Sequence, residues 1–137
     1  MKGVWKKVQD RIVGARATPA QARGRRAEDR AAEHLGAHGL KLLARNVSCR
    51  HGEVDLICLE RDTVVFVEVR LRTNPRFGSA AESITATKRQ RIIVAARWWL
   101  AGPGHAFANH CCRFDAVLFS SADSDEPHWI RAAFELE

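Results

Sequence analysis

No two of the four cysteines, Cys49, Cys58, Cys111 and Cys112, stand at the two-residue separation of a zinc ligand pair, which argues against a structural zinc site. Cys58 interrupts nothing in its apolar run and reads as a small hydrophobe. Reduced thiols in an intracellular, cytoplasmic protein are the simplest account of all four. No apolar run approaches the ~20 residues needed to span a bilayer, and the first residues lack the apolar core of a secretory signal. Internal repeats, a glycine-rich phosphate loop and a Ser-His-Asp arrangement are also missing. The six histidines are scattered over helix-surface and loop positions, so none is marked as a metal ligand.

What is present is a chain of 137 residues, 46% hydrophobic and 28% charged, long enough to bury one core. Its formal charge of +6 is unevenly spread. Residues 1–26 carry eight basic side chains against the single acid Asp10, while the remainder holds 14 basic and 15 acidic residues. The excess therefore belongs to an N-terminal arm, residues 1–18, ahead of a single domain over residues 19–137. Such an arm is attracted to polyanions or is simply a solvated leader. Val4, Trp5, Val8 and Ile12 among its cations would also suit a basic amphipathic helix at a membrane surface, a reading that ranks below the basic tail.

The most informative stretch runs from Gly52 to Arg72. Two apolar runs, Val54 to Leu59 and Val64 to Val69, are parted by the polar Glu60-Arg61-Asp62-Thr63 and read as a β-hairpin. A turn centred between Arg61 and Asp62 makes paired residue numbers sum to 123, so Asp55 faces Glu68 and Glu53 faces Arg70. Directly opposed like charges destabilise a sheet; a hard divalent cation between them reverses that, since Mg²⁺ is held by one or two carboxylates with substrate phosphate. The two-residue period also sets Glu68, Arg70 and Arg72 on one face. Solvated charges on an open hairpin face are the commoner outcome, but both acids interrupt apolar runs instead of ending them.

The flanking elements follow from caps and periodicity. Thr18-Pro19 starts and His38-Gly39 stops a helix, whose least polar stripe is Gly24, Ala27, Glu28, Ala31 and Leu35. Glu28 on that stripe is either salt-bridged to a nearby arginine or directed at a site, and spacing alone favours the salt bridge. Leu40 to Val47 is a first strand, left through a loop Ser48–Gly52, and residues 73–83 form a long loop. Thr85 caps a second helix to about Leu100 with Ile92, Ala95, Ala96, Trp99 and Leu100 inward. Lys88, Arg89 and Arg91 in its first turns oppose the helix dipole; phosphate binding would explain them, and plain solvation is the alternative. Arg113 to Phe119 and His128 to Phe134 are the fourth and fifth strands. This order predicts an α/β fold, a mixed sheet of about five strands with its two helices on the faces. Of the four tryptophans, Trp99 is assigned to the core.

Gly24-Arg25-Arg26-Ala27-Glu28, Arg45-Asn46, Gly52-Glu53-Val54-Asp55-Leu56-Ile57, Phe66-Val67-Glu68-Val69-Arg70 with Arg72, Phe77-Gly78, Lys88 and Arg113-Phe114-Asp115 together resemble the YraN family, small bacterial proteins described as endonuclease-like. The likeness spans about residues 22 to 134. It implies a restriction-endonuclease-like fold of the PD-(D/E)XK superfamily, shared with archaeal Holliday-junction resolvases. By motif it implies that Glu28, Asp55 and Glu68 are the metal-binding acids, for Mg²⁺ or Mn²⁺, and that Lys88 is an auxiliary helix residue near the phosphates. This chain departs from the motif at Arg70, where the family has lysine. Arginine cannot be deprotonated in proteins, so it orients water or stabilises charge instead of taking a proton. Lys88 would replace the missing amine if its helix points inward.

The resulting expectation is a metal-dependent endonuclease of DNA, in preference to RNA, with branched or junction DNA among its substrates. Asp55, Glu68, Arg70 and Lys88 are its catalytic set. Arg25, Arg26, Arg72, Lys88, Arg89 and Arg91 are its nucleic-acid contacts. A homodimer would suit cleavage of two strands, although no interface is legible. The alternative, supported by Arg70, is a nucleic-acid-binding protein on a nuclease fold that cuts weakly or not at all. A pure protein-interaction domain is the third reading.

Overall fold

The computed structural model describes residues 17–71, 84–120 and 126–136. The expected arm up to residue 16, together with Arg72 and the loop 73–83, lies outside the described residues. Helix α1 (Pro19–Ala37) begins at Thr18, whose hydroxyl accepts the Gln21 N–H while the Gln21 side chain accepts the Thr18 N–H, a complete capping box. It ends at His38, and Gly39 follows at φ 91°, a left-handed geometry that suits glycine.

Three antiparallel strands form a meander: β1 (Lys41–Cys49), β2 (Gly52–Glu60) and β3 (Thr63–Leu71). The loop expected over Ser48–Gly52 is shorter than that. Cys49 pairs with Gly52, leaving Arg50 and His51 as a two-residue turn with His51 at φ 82°. The β2–β3 register is the expected one, with Leu56 opposite Val67 and Glu60 opposite Thr63. The turn lacks glycine, and Arg61 takes φ 54° instead.

Helix α2 (Ala86–Ala101) carries the chain over to β4 (Cys111–Phe119), which runs parallel to β3, and β5 (His128–Phe134) closes the sheet antiparallel to β4. The strand order is β1-β2-β3-β4-β5, a mixed α/β sheet. A parallel neighbour requires such a crossover. β4 starts two residues earlier than its apolar pattern suggests, because Cys111 and Cys112 pair with Thr63 and Val64. A short 3-10 turn (His105–Phe107), invisible in the periodicity, follows α2. It is set by Gly104, where a Cβ would meet the Trp99 ring at 2.3 Å.

One helix covers each face. Ala27, Ala31 and Leu35 of α1 pack on Leu56, Cys58, Val65, Val67, Val117 and Phe119. Ile92, Ile93, Ala95, Ala96 and Trp99 of α2 pack on Val54, Ile57, Val64, Phe66 and Phe114. All four cysteines are free, and burial pushes the Cys58 thiol up to about 12, consistent with a packing role. Among the described residues, no helix is long and apolar enough to cross a membrane.

The far edge of the sheet is locked by a buried acid. Asp115 is fully buried, yet its oxygens accept bonds from Arg113 Nε (2.8 Å) and Nη2 (3.0 Å), from Trp129 Nε1 (3.0 Å) and from the Ala132 N–H (2.9 Å). Glu60 in turn accepts from Arg113 (2.9 Å) and Arg131 (2.8 Å), and Arg131 lies over the Trp129 ring at 4.0 Å. The Arg113-Phe114-Asp115 motif therefore fastens β5 to the sheet. Breaking a buried pair leaves an uncompensated charge, so Asp115→Ala should cost about 3–5 kcal/mol. Asp29→Ala, which breaks the exposed Arg45–Asp29 pair (2.6 Å), should cost about 1 kcal/mol or less. Urea unfolding of the two variants checks the contrast.

Candidate active site

The ladder between β2 and β3 stops at Leu56–Val67, one step before Asp55 and Glu68 would meet. Asp55 closes that step with its side chain: Oδ2 accepts the Val69 N–H at 2.8 Å. On the other side of β2, Asn46 lies between the pairs Arg45–Leu56 and Val47–Val54, and takes φ 49°. The in–out alternation of β2 slips there, since Val54 and Ile57 both face α2 while Leu56 faces α1. Asparagine tolerates this left-handed geometry better than most residues, which gives the Arg45-Asn46 motif a physical reason.

Glu68 continues the face of Val64 and Phe66 and is 5% exposed. Burial drives its pKa far above the carboxylate range, and the charge of Asp55 and a hydrogen bond shared with it push the same way. Lys88 and Arg70 pull weakly against this. Adjacent carboxylates resist ionising together, and Glu68 is the one held in its protonated form. Lys88 Nζ stands 3.5 Å from Glu68 Oε2.

Glu28 approaches from α1. Its pKa rises to about 7, through burial first and the charge of Asp55 second, with Asn46 and Arg45 opposing. The salt bridge expected from spacing is not formed by Glu28: Arg45 pairs with its neighbour Asp29, because that carboxylate lies off the buried stripe. Glu28 Oε1 is instead buried without a hydrogen-bond partner, and such an orphaned acceptor is costly unless a further group meets it. Among the described residues, no three His, Cys, Asp or Glu side chains are drawn into one metal-holding group. Asp55 and Glu68 form a pair, and Glu28 lies within electrostatic reach of Asp55.

The cations divide into two sets. Lys88, whose N–H is capped by Thr85, turns its amine inward to Glu53 Oε1 (2.9 Å) and Glu68. Burial works against its charge, but Glu53, Glu68 and Asp55 outweigh this and hold its pKa above the usual value. The helix points inward as required, yet Lys88 is a fixed positive charge there and not a neutral amine. Arg91 reaches Glu53 Oε1 at 3.5 Å, and Arg70 acts on Glu68 through its field. Arg89 belongs elsewhere, with Nε donating to the Ile84 carbonyl (3.1 Å) and its guanidinium over the Phe134 ring. Arg25 and Arg26 are exposed on α1. Arg72 falls outside the described residues.

The residue missed in the sequence is Glu53. Register arithmetic set it against Arg70, but the β2–β3 ladder ends at Leu56–Val67, and Glu53 gives its carboxylate to Lys88 and Arg91. Gly52 brings it there, since a Cβ at 52 would lie 2.7 Å from both Ala95 N and Arg91 O of α2. Two cations one turn apart at a helix start were the available signal that an anion stands opposite.

A family model described as an uncharacterised protein family, UPF0102, matches residues 27–119. The chain belongs to the UPF0102 family. A UPF0102 protein of Nitrosomonas europaea is 53% identical over 113 residues, covering 82% of this chain and 93% of the relative. Those of Stutzerimonas stutzeri and Dechloromonas aromatica are each 48% identical, covering 85% of this chain and 97% and 91% of the relatives. The YraN resemblance seen in the motifs is therefore UPF0102 membership, and the matched span takes in Glu28, Glu53, Asp55, Glu68, Arg70, Lys88 and Arg91.

The raised acids set a pH dependence. The folded chain keeps protons on Glu28 and Glu68 that the unfolded chain releases near the ordinary value of 4.5. Their protonated forms cost nothing below that pH, and stability falls as pH climbs toward about 7 for Glu28 and further for Glu68. Glu68→Gln imitates the protonated form and should flatten this decline. At alkaline pH it should exceed the parent's stability by about 1.4 kcal/mol or more, the worth of one pKa unit. Urea unfolding across the pH range measures it, and a parallel decline in both proteins would refute the assignment.

Proposed function

We propose that this UPF0102 protein is a divalent-metal-dependent endonuclease of DNA, with branched or junction DNA in its substrate range. The observation that carries the reading is the carboxylate pair Asp55–Glu68, with Glu68 buried, Lys88 beside it and Arg70 in its field. Two carboxylates kept together against repulsion, next to an orphaned third acid oxygen on Glu28, are a poor arrangement for stability. They are a good one for a hard cation, which takes one or two carboxylates together with water and phosphate oxygens. Asp55 and Glu68 would hold Mg²⁺ or Mn²⁺, with Glu28 completing the acidic shell. When bound, the cation would polarise the scissile phosphate.

The chain's own groups do the remainder. The Val69 N–H fixes the orientation of Asp55. Arg70, permanently charged, stabilises the anion that builds up as the phosphodiester is attacked. Lys88, held cationic, contributes charge at the same centre, so proton removal from the attacking water falls to a carboxylate and not to an amine. Arg91 serves the flanking backbone, as do the exposed Arg25 and Arg26. The cytoplasm suits the four free thiols, and a homodimer would suit cutting of two strands.

A second reading is favoured by one observation, the replacement of the motif lysine by Arg70. On it, the protein holds nucleic acid without cutting. Incubation of linear, flapped and branched DNA with Mn²⁺ separates the two. Cleavage should fall by at least about 100-fold in Asp55→Ala, more than a group that merely orients a ligand would cost. Salt-sensitive binding that persists under chelation, with no cleavage, selects the second reading.

Mn²⁺ titration calorimetry supplies a readout apart from activity. Because Glu68 must give up its proton to bind a cation, affinity should tighten by up to about tenfold per pH unit between roughly pH 6 and 8. A pH-independent affinity, or none, removes the metal from the proposal.

A further inference from the structure

Lys88 and Arg91 sit one turn apart at the start of α2 and converge on a single oxygen, Glu53 Oε1, at 2.9 and 3.5 Å. Cations there oppose the positive end of the helix dipole, so their gathering calls for an anion. Glu53 supplies it, accepting a hydrogen bond from Lys88 and forming an ion pair with Arg91. Yet Glu53 is unlike the acids next to it. Its side chain is 45% exposed, against 6% for Glu68. Rotating it into water keeps its own carboxylate solvated and frees Lys88 and Arg91 for another anion, whereas Glu68 cannot leave.

The fork that Lys88 and Arg91 make around one oxygen is the arrangement a phosphate oxygen takes between charged donors. It opens beside the Asp55–Glu68 pair, because Lys88 touches both Glu53 and Glu68. We propose that Lys88 and Arg91 form a phosphate subsite for the nucleic-acid backbone, and that Glu53 is a built-in occupant which the incoming phosphodiester displaces. This deepens the nucleic-acid reading and rests on it. Glu53 is then a positioning residue with two effects. It keeps the two cations gathered at the mouth of the acid pair before substrate arrives. It also competes with the backbone phosphate, so weakly bound polyanions are turned away.

Competition gives a counter-intuitive result: removing an acid near the site should strengthen binding. Fluorescence anisotropy with labelled branched DNA under EDTA, so that no cleavage occurs, reads the affinity of the full chain. Glu53→Gln, which keeps the shape and removes the charge, should bind about three- to tenfold tighter. Its slope of log affinity on log salt should steepen by about one, the signature of one more phosphate contact. Glu53→Lys should extend the trend. In a Lys88→Ala/Arg91→Ala background, the gain from Glu53→Gln should vanish, since the freed subsite no longer exists.

Equal or weaker binding by folded Glu53→Gln, with the parent binding normally, overturns the subsite and leaves the nucleic-acid reading standing. A gain that persists without Lys88 and Arg91 overturns it as well, by showing a general charge effect. Absence of salt-sensitive binding in the parent and in every variant instead sinks the nucleic-acid reading, and this inference with it.

Discussion

Two carboxylates face one another at the open end of a hairpin, and the surrounding structure accommodates that conflict. Asp55 and Glu68 would separate in water. Here the hairpin, just past its last ladder pair Leu56–Val67, brings them together, the Val69 amide holds Asp55, and a proton kept on Glu68 relieves the repulsion. Everything charged nearby answers to that pair: Lys88 is drawn inward, Arg70 lends its field, and Glu28 becomes hard to ionise. A pair this unfavourable on its own gains most from a cation, which is why the conflict is informative about chemistry.

The two halves of the molecule treat buried charge differently. Asp115 is as buried as any acid in the chain, but four donors satisfy it and tie β4 to β5. Glu28 keeps an oxygen without a donor. Full satisfaction marks a fastening, while an incomplete set beside like charges marks a place where something else belongs. The same residue type in the same sheet thus has opposite meanings, decided by its partners.

Much of this is legible in the residues alone. The hairpin register follows from two apolar runs parted by a turn centred on Arg61–Asp62, the helix ends from Thr18, Thr85 and Gly39, and the buried stripes from three- and four-residue steps. What escapes depends on contacts far apart in sequence or on single backbone angles. Glu53 meets Lys88 from 35 residues away, so local periodicity could not pair them. The slip of β2 at Val54–Asp55 comes from Asn46 on another strand, and the close approach of Gly52 to α2 has no signature beyond the glycine. Arg89 illustrates the converse: a basic residue next to two site cations, yet one engaged with Ile84 and Phe134.

The parallel pairing of β3 with β4 has a kinetic corollary. β2 and β3 are joined by a two-residue turn and can associate early, whereas α2 must dock across a long connection before β4 finds its place. The acids therefore converge while Lys88 is still distant, and acquire their counter-charge late. The barrier to folding should then fall when Glu68 carries its proton, since the hairpin closes without repulsion between its two acids.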